Sequence, residues 1–398
     1  MKLRQLNTAS PLLPVLLAIG ACSTVAGVAT AASAASTEIT FFSSEPHTGQ
    51  SAVYGDGSTK EAELAIKKIN DAGGFDDSCG NHYSKINLTI WDDGDNAAQS
   101  AAGMQKAAAD PINLAVIGSV SDKGWIPDIP VAGQLKMPFI IPSDGSTVAP
   151  DKWNPYSFRI QADAPTTFNV ALPALVKAAK ITKVGVLYDS TQAAQTADAQ
   201  LWKTNAAKLG YQVVAFESFR ASDTNFRPQL DAINAANPDF LVLDAADPSG
   251  LYNQATEVGL LPKVGVYSGT GTSTSSQEWD LTKGNTKGSY SMATSAIGLD
   301  TGMYNTEGMT LYQAATGAPP DPNKISGWDA VQVAVDAVKR ACTGTDREKF
   351  RDALAQTTKF PLAAQGTITW RNPPNGENQD PTGIVIQVTG KGTVAIVK

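Results

Sequence analysis

The stretch IGSVSDKGWIPD, residues 117–128, begins apolar and turns abruptly polar. Leu114-Ala115-Val116-Ile117 reads as a short buried strand, because four consecutive apolar residues leave no polar face to present to water. Gly118, two serines, an aspartate and a tryptophan follow, ahead of Pro127 and Pro130. A strand that ends in hydroxyls and a carboxylate can hold a ligand, act on a substrate or cap a helix. The rest of the chain has to decide which.

Working outward, the same strand signature recurs at Glu38–Ser43, Ile86–Asp92 and Pro138–Pro142, then at Lys183–Asp189, Gln212–Phe216, Asp239–Asp244 and Lys263–Ser268. Helical periodicity lies between these runs. Ala62, Ala65, Ile66 and Ile69 fall at i, i+3, i+4 and i+7, and Gly73-Gly74 ends that segment. Trp328, Val331, Val335 and Val338 mark a second amphipathic helix. Strands alternating with helices predict βαβ units and mainly parallel sheets covered on both faces, here in two series and so two α/β lobes. Ligands of such sheets bind beyond the carboxyl ends of the strands. Those ends are Ser43-Ser44, Ser121 with Asp122, Pro142-Ser143-Asp144, Asp189-Ser190, Asp244 to Asp247, and Tyr267-Ser268.

At 398 residues, two domains are expected. A hydrophobic content of 42% with 17% charged residues indicates a packed globular protein. The formal charge of −7 argues against a nucleic-acid partner, which requires a basic surface. The N-terminus reads as a targeting segment: Lys2 and Arg4, an apolar run from Leu12 to Ala21, then Cys22. Ile19-Gly20-Ala21-Cys22 resembles a bacterial lipoprotein signal, with residues 1–21 removed, Cys22 acylated and 22–36 serving as a tether. Ordinary secretion with cleavage within Ala31–Ala35 fits the same pattern. Loss of residues 1–21 removes two cations and no anion, leaving 29 minus 38, or −9. Cys79 and Cys342 then either form a disulfide or remain thiols.

Most enzyme readings fail on inventory. His47 and His82 are the two histidines, too few for a histidine metal cluster and both in polar loops. No G-x-S-x-G elbow and no phosphate-binding P-loop occurs. The SGTGTST run at 268–274 lacks the third glycine of a dinucleotide fingerprint. Asp92, Asp93 and Asp95 read as a solvated strand end rather than a calcium loop, for which the spaced glycine and terminal glutamate are missing. No cofactor and no metal is expected.

The ordered set TGQSAVYG (48–55), AELAIKKINDAGGF (62–75), WDDGDNAAQS (91–100), AVIGSVS (115–121), MPFIIPS (137–143), YSFRIQAD (156–163), SDTNFRPQLDAINAANPDFLVL (222–243) and SGWDAVQVAVDAVKRA (326–341) resembles the extracytoplasmic solute-binding proteins of branched-chain amino acid ABC transporters. The resemblance implies a type I periplasmic-binding fold: two doubly wound parallel-sheet lobes joined by three crossovers, near Ile160, Ser295 and Thr382. Lobe 1 is then 37–160 completed by 296–382, and lobe 2 is 161–295 completed by 383–398. It also implies a small-molecule solute, an amino acid or related polar compound. A permease with ATPase subunits would receive the closed form, and a lipid on Cys22 would hold the protein at the membrane surface. A sensory receptor of the same fold and a carboxylate-dependent, glycosidase-like enzyme are the alternatives.

The expected ligand contacts are Tyr54, Ser121, Asp122, Trp125, Ser143, Asp144 and Ser146 from lobe 1, with Asp244, Asp247, Tyr267 and Thr270 from lobe 2. The resemblance places a hydroxyl where Asp122 stands, a small residue followed by Thr where Asp144-Gly145-Ser146 stand, a stacking tyrosine at Ala193, and an acid for an α-amino group at Gly269 or Thr270. The amino-acid grip is thus mostly absent. Asp122 is either an N-cap of a helix that Pro127 helps open, or a ligand contact that repels carboxylates and attracts cations or hydroxyl donors. Trp125, like Tyr54 and Tyr267, is either a stacking surface or core packing.

Overall fold

The computed structural model describes residues 37–143, 145–245, 247–260, 265–267, 276–293, 306–317, 326–363, 366–370, 376–380 and 383–397. In chain order the first series is β1 (Glu38–Glu45), α1 (Ala52–Asp71), a small hairpin of β2 (Phe75–Asp76) and β3 (His82–Tyr83), then β4 (Lys85–Asp92), α2 (Ala97–Ala109), β5 (Asn113–Ile117), α3 (Asp122–Leu135), β6 (Phe139–Ile141) and β7 (Ser157–Arg159). The second is α4 (Ala164–Ala179), β8 (Lys183–Asp189), α5 (Ala193–Leu209), β9 (Gln212–Phe219), α6 (Arg227–Ala235), β10 (Phe240–Asp244), α7 (Ser249–Glu257), β11 (Gly265–Tyr267), α8 (Ser276–Leu281) and β12 (Tyr290–Ala293). The chain closes with α9 (Thr306–Thr316), α10 (Ser326–Ala341), α11 (Arg347–Ala355), a hairpin of β13 (Phe360–Leu362) and β14 (Gly366–Ile368), β15 (Ile384–Gly390) and β16 (Thr393–Val397).

Two main sheets result. One is parallel throughout, in the order β4-β1-β5-β6-β7. The other runs β16-β15-β12-β11-β10-β8-β9, parallel from β9 to β12, with β15 and β16 antiparallel at its edge. Alternate residues of each strand serve opposite faces, as a period of two requires. Phe41 packs under Trp328, Val331 and Val335 of α10, whereas its neighbour Phe42 packs with Met104 of α2 and Ile129 of α3. In the second sheet Val184 and Val186 share a core with Trp202 of α5, and Leu187, Leu241 and Leu243 share one with Leu230 and Leu251. Both sheets are therefore covered on both faces, which explains strands that read as unbroken apolar runs.

Several boundaries differ from the sequence expectation. Helix α1 starts at Ala52, well before the apolar repeat beginning at Ala62, because Gly55, Gly57, Ser58 and Thr59 are buried there without being apolar. The sequence pattern does not mark β7, a three-residue strand with a serine and an arginine around one apolar residue, nor β12, β15 and β16, which lie beyond its last strand signature at Ser268. Strand β1 continues through Ser43 and Ser44, both 1% exposed, and ends at Glu45. Cys79, between β2 and β3, is disulfide-bonded to Cys342, just beyond α10, with Cα atoms 5.7 Å apart. Ser295 and Thr382, two of the expected crossing points, lie outside the described residues. At the first, the Ile160 carbonyl accepts from Asn378 Nδ2 at 3.0 Å.

Candidate functional site

The topology itself marks where a ligand would sit. In the first sheet the chain goes from β1 outward to β4 and then returns to β5 on the other side of β1, so the switch-point crevice opens between the carboxyl ends of β1 and β5. In the second sheet the reversal falls between β8 and β10, which end in Asp189 and Asp244. The two crevices meet. Gln192, the residue before α5, donates from Nε2 to Gln50 Oε1, in the loop after β1, at 2.9 Å, and Lys123 Nζ reaches the same oxygen at 3.4 Å.

On the β1–β5 side, Gly118 turns the chain with φ +125°, and a Cβ there would lie 1.9 Å from the Ser44 carbonyl oxygen. Only glycine lets β5 end this close to β1. Ser121, not Asp122, is the N-cap of α3: its Oγ accepts from the Lys123 N–H at 3.3 Å and donates to Asp95 Oδ1 at 2.5 Å. This corrects the capping reading of Asp122. Pro127 and Pro130 lie inside α3 rather than at its start.

Asp122 sits in the first turn of α3 and turns its carboxylate to the loop after β6. It accepts the Ser146 N–H on both oxygens at 3.2 Å, the Ser146 hydroxyl at 2.5 Å, and the Trp125 indole N–H at 3.0 Å. Trp125 is 0% exposed, stacked on Trp153 and lying under the Arg159 guanidinium at 4.6 Å. It therefore has no face to offer a solute, which corrects its place among the stacking candidates: an α3 residue beneath β6 is core. Ser143 is also buried, its Oγ donating to the Val120 carbonyl at 3.0 Å. Tyr54 is half-buried in the first turn of α1. Asp144 lies outside the described residues.

Sequence reasoning missed Arg159. This fully buried side chain at the end of β7 donates to the carbonyls of Ser143 (3.2 Å), Ser146 (2.8 Å from both terminal nitrogens) and Gly145 (3.4 Å), and faces Glu377 at 3.3 Å. It holds the loop after β6 from behind. Burial raises the Glu377 carboxyl to about 7, although the Arg159 charge opposes the shift. An arginine at a strand end gives no periodicity signal, so nothing in the sequence marked it.

Acids crowd the β1–β5 crevice. Glu45, 1% exposed, accepts the Val120 N–H at 2.8 Å and the Ser58 hydroxyl at 2.9 Å, and burial pushes its carboxyl well above the ordinary range. Asp93 is fully buried and likewise raised by burial, while Asp95, with its side chain 4% exposed, pairs with Lys123 at 2.9 Å. Asp92 accepts the N–H groups of His47, Thr48 and Gly94 and the Thr48 hydroxyl; these outweigh burial and hold it below its usual value. The expected solvated strand end is therefore an organised set of loop ties.

On the β8–β10 side, Asp244 is 2% exposed, and burial raises its carboxyl well above the usual value, with Asp198 and Asp189 adding to the shift. Asp189 accepts from the Thr191 N–H at 2.8 Å and hydroxyl at 2.6 Å. Asp247 is exposed and accepts the Ser249 N–H at 3.0 Å, a turn that leads into α7. Tyr267 ends β11, pairing with Val242 and Tyr290 in register, and Thr270 lies outside the described residues.

Paired doubly wound sheets with facing switch-point crevices define a two-lobed α/β binding protein of the type I periplasmic-binding fold. The chain belongs to the periplasmic binding protein family, whose model matches residues 39–393. It is 29% identical to the Leu/Ile/Val-binding protein homolog 1 of Brucella abortus over 57% of this chain and 59% of that protein, so the match spans less than two thirds of that relative. It is 24% identical to the leucine-, isoleucine-, valine-, threonine- and alanine-binding protein of Pseudomonas aeruginosa, over 85% of this chain and 87% of that one. Among solved structures it shares its fold with the leucine-binding protein LivK of Thermotoga maritima (TM-score 0.74, 20% identity, 90% of this chain and 97% of that one). It also shares it with LivJ of Streptococcus pneumoniae in complex with isoleucine (0.75, 18%, 90% and 98%). A third is an R. palustris solute-binding protein in complex with benzoate (0.76, 18%, 90% and 95%). No helix among the described residues is long and apolar enough to cross a membrane.

Proposed function

We propose that this chain is the exported solute-binding component of an ABC importer, capturing a small polar solute between lobe 1 (37–160 with 296–382) and lobe 2 (161–295 with 383–398). The observation that carries the reading is the meeting of the two switch-point crevices at Gln50 and Gln192. A solute that touches both crevices favours the closed arrangement by its difference in affinity for the two states, and closure is what a permease can recognise. The solute-facing residues are Gln50, Tyr54, Ser121, Asp122 and Ser146 on one side, and Asp189 and Gln192 on the other, with Asp244 buried behind them at the end of β10. The permease and its ATPase subunits are the partners, and acylated Cys22 is the membrane anchor.

The test is a thermal-shift screen of amino acids, their amides, polyamines, sugars and aromatic acids, followed by small-angle X-ray scattering with each hit. A specific solute at 100 times its dissociation constant adds about 2.7 kcal/mol of stability, and closure reduces the radius of gyration. A library in which no compound does both refutes the reading.

A further inference from the structure

The loops of the β1–β5 crevice carry many donors, and the protein's own acids already hold them. Val120 N–H goes to Glu45, the Ser121 hydroxyl to Asp95, the Thr48 N–H and hydroxyl to Asp92, and the Ser146 N–H and hydroxyl to Asp122. Of these acids Glu45 and Asp95 are buried and Asp92 and Asp122 half-buried; Asp122 is the one that reaches from α3 to the loop after β6. The crevice wall thus presents acceptor oxygens where its backbone and hydroxyls would otherwise present donors.

Two further features show that Asp122 is built into this place. A Cβ on Gly145 would lie 2.0 Å from Asp122 Oδ1, so the carboxylate fills space that any side chain at 145 would need. Arg159 holds the same loop through the carbonyls of Ser143, Gly145 and Ser146, so the loop cannot swing aside to free the Ser146 donors without breaking those bonds. An ionised carboxylate has about four acceptor positions. The Ser146 N–H bridges both oxygens, the Ser146 O–H reaches Oδ2 and the Trp125 N–H reaches Oδ1, so three donor hydrogens span the four positions. A donor from a bound molecule takes the position that the bridging Ser146 N–H gives up by closing on one oxygen, whereas a second carboxylate brought to this point meets like charge instead of N–H and O–H groups.

We propose that Asp122 is the specificity-determining residue of the crevice: it occupies the Ser146 donor pair with its own carboxylate, so the captured solute is one whose polar end donates N–H groups, an amide or amine, and not a carboxylate. This rests on the solute-binding reading and narrows it to a ligand class.

The experiment compares acid and amide forms of one solute on the full chain: leucine with leucinamide, isoleucine with isoleucinamide, and benzoate with benzamide, by calorimetric titration. In the wild type the amide of at least one pair binds at least about tenfold more tightly than its acid. Asp122→Asn removes the charge, keeps the shape, and brings the two forms to within about twofold of each other. Thr147→Ala, in the same loop, loses only its hydroxyl bond to Asp163, keeps the Asp122 charge and retains the wild-type preference, which separates a charge effect from a disturbed loop; far-ultraviolet circular dichroism confirms that both variants fold. An acid that binds the wild type as tightly as its amide overturns the proposal. So does an unchanged preference in Asp122→Asn, and so does a panel in which no amide binds. The solute-binding reading falls separately, only when the broader library also gives no closure.

Discussion

Glu61 offers a quantitative test of how the lobe 1 core is held. It lies on α1, 0% exposed, with both carboxyl oxygens buried and lacking a hydrogen-bond partner, and it faces the charge of Asp329 on α10. Asp329 is itself 1% exposed and accepts the Ala363 N–H at 2.6 Å. Burial, then Asp329, push the Glu61 carboxyl from its ordinary 4.5 to about 8. Between those two values the folded protein keeps a proton that the unfolded chain releases. Folding stability then falls as pH rises, by about 1.4 kcal/mol per pH unit for one proton, and flattens above the folded value. Over the whole window the loss accumulates to roughly 4–5 kcal/mol. Glu61→Gln keeps the shape and abolishes the titration. The variant should match the wild type near pH 5 and exceed its stability by several kcal/mol near pH 8. Urea unfolding followed by circular dichroism across that range measures the difference, with equal m-values required of both proteins. Asp128 and Glu377, each raised to about 7 by burial, titrate in both proteins and cancel. A stability difference that does not change with pH refutes the reasoning.

Arg159→Met should cost about 3–5 kcal/mol, since it leaves a buried carboxyl and several loop carbonyls without their cation; adding Glu377→Gln should recover part of that loss in the same unfolding assay, and no recovery would count against the pairing. Reducing the Cys79–Cys342 bond, which closes a separation of 263 residues, should lower stability by up to about 5 kcal/mol on the loop-entropy model. A change below about 1 kcal/mol on reduction would show that the tether contributes little to the unfolded-state entropy. Asn96→Ala should cost about 1 kcal/mol, because its side chain accepts the N–H groups of Ala98 and Gln99 at the start of α2; an unchanged unfolding midpoint would remove the cap from the account.

The sequence by itself determined the architecture. Runs such as Leu114–Ile117 and Phe240–Leu243 are apolar on both faces, which only a sheet covered twice can use, and the intervening 3.6-residue repeats supply the covering helices. Carboxyl ends of strands are polar for the same topological reason, so Ser121, Asp122, Asp189 and Asp244 could be named before any coordinates. Their roles could not. Whether Asp122 caps its own helix or reaches 24 residues ahead to Ser146 depends on how β6 lies beside β5, and no local pattern encodes that distance. Trp125 reads equally as an exposed platform or as core until α3 is laid on the sheet, where its position leaves it 0% exposed. Arg159 and Glu377 meet across 218 residues, and Gly145 matters only because another residue's carboxylate needs its missing side chain. Periodicity is a property of neighbours along the chain, so it specifies elements. Charge pairing, burial and close approach are properties of neighbours in space, and here only the packed lobes decided them.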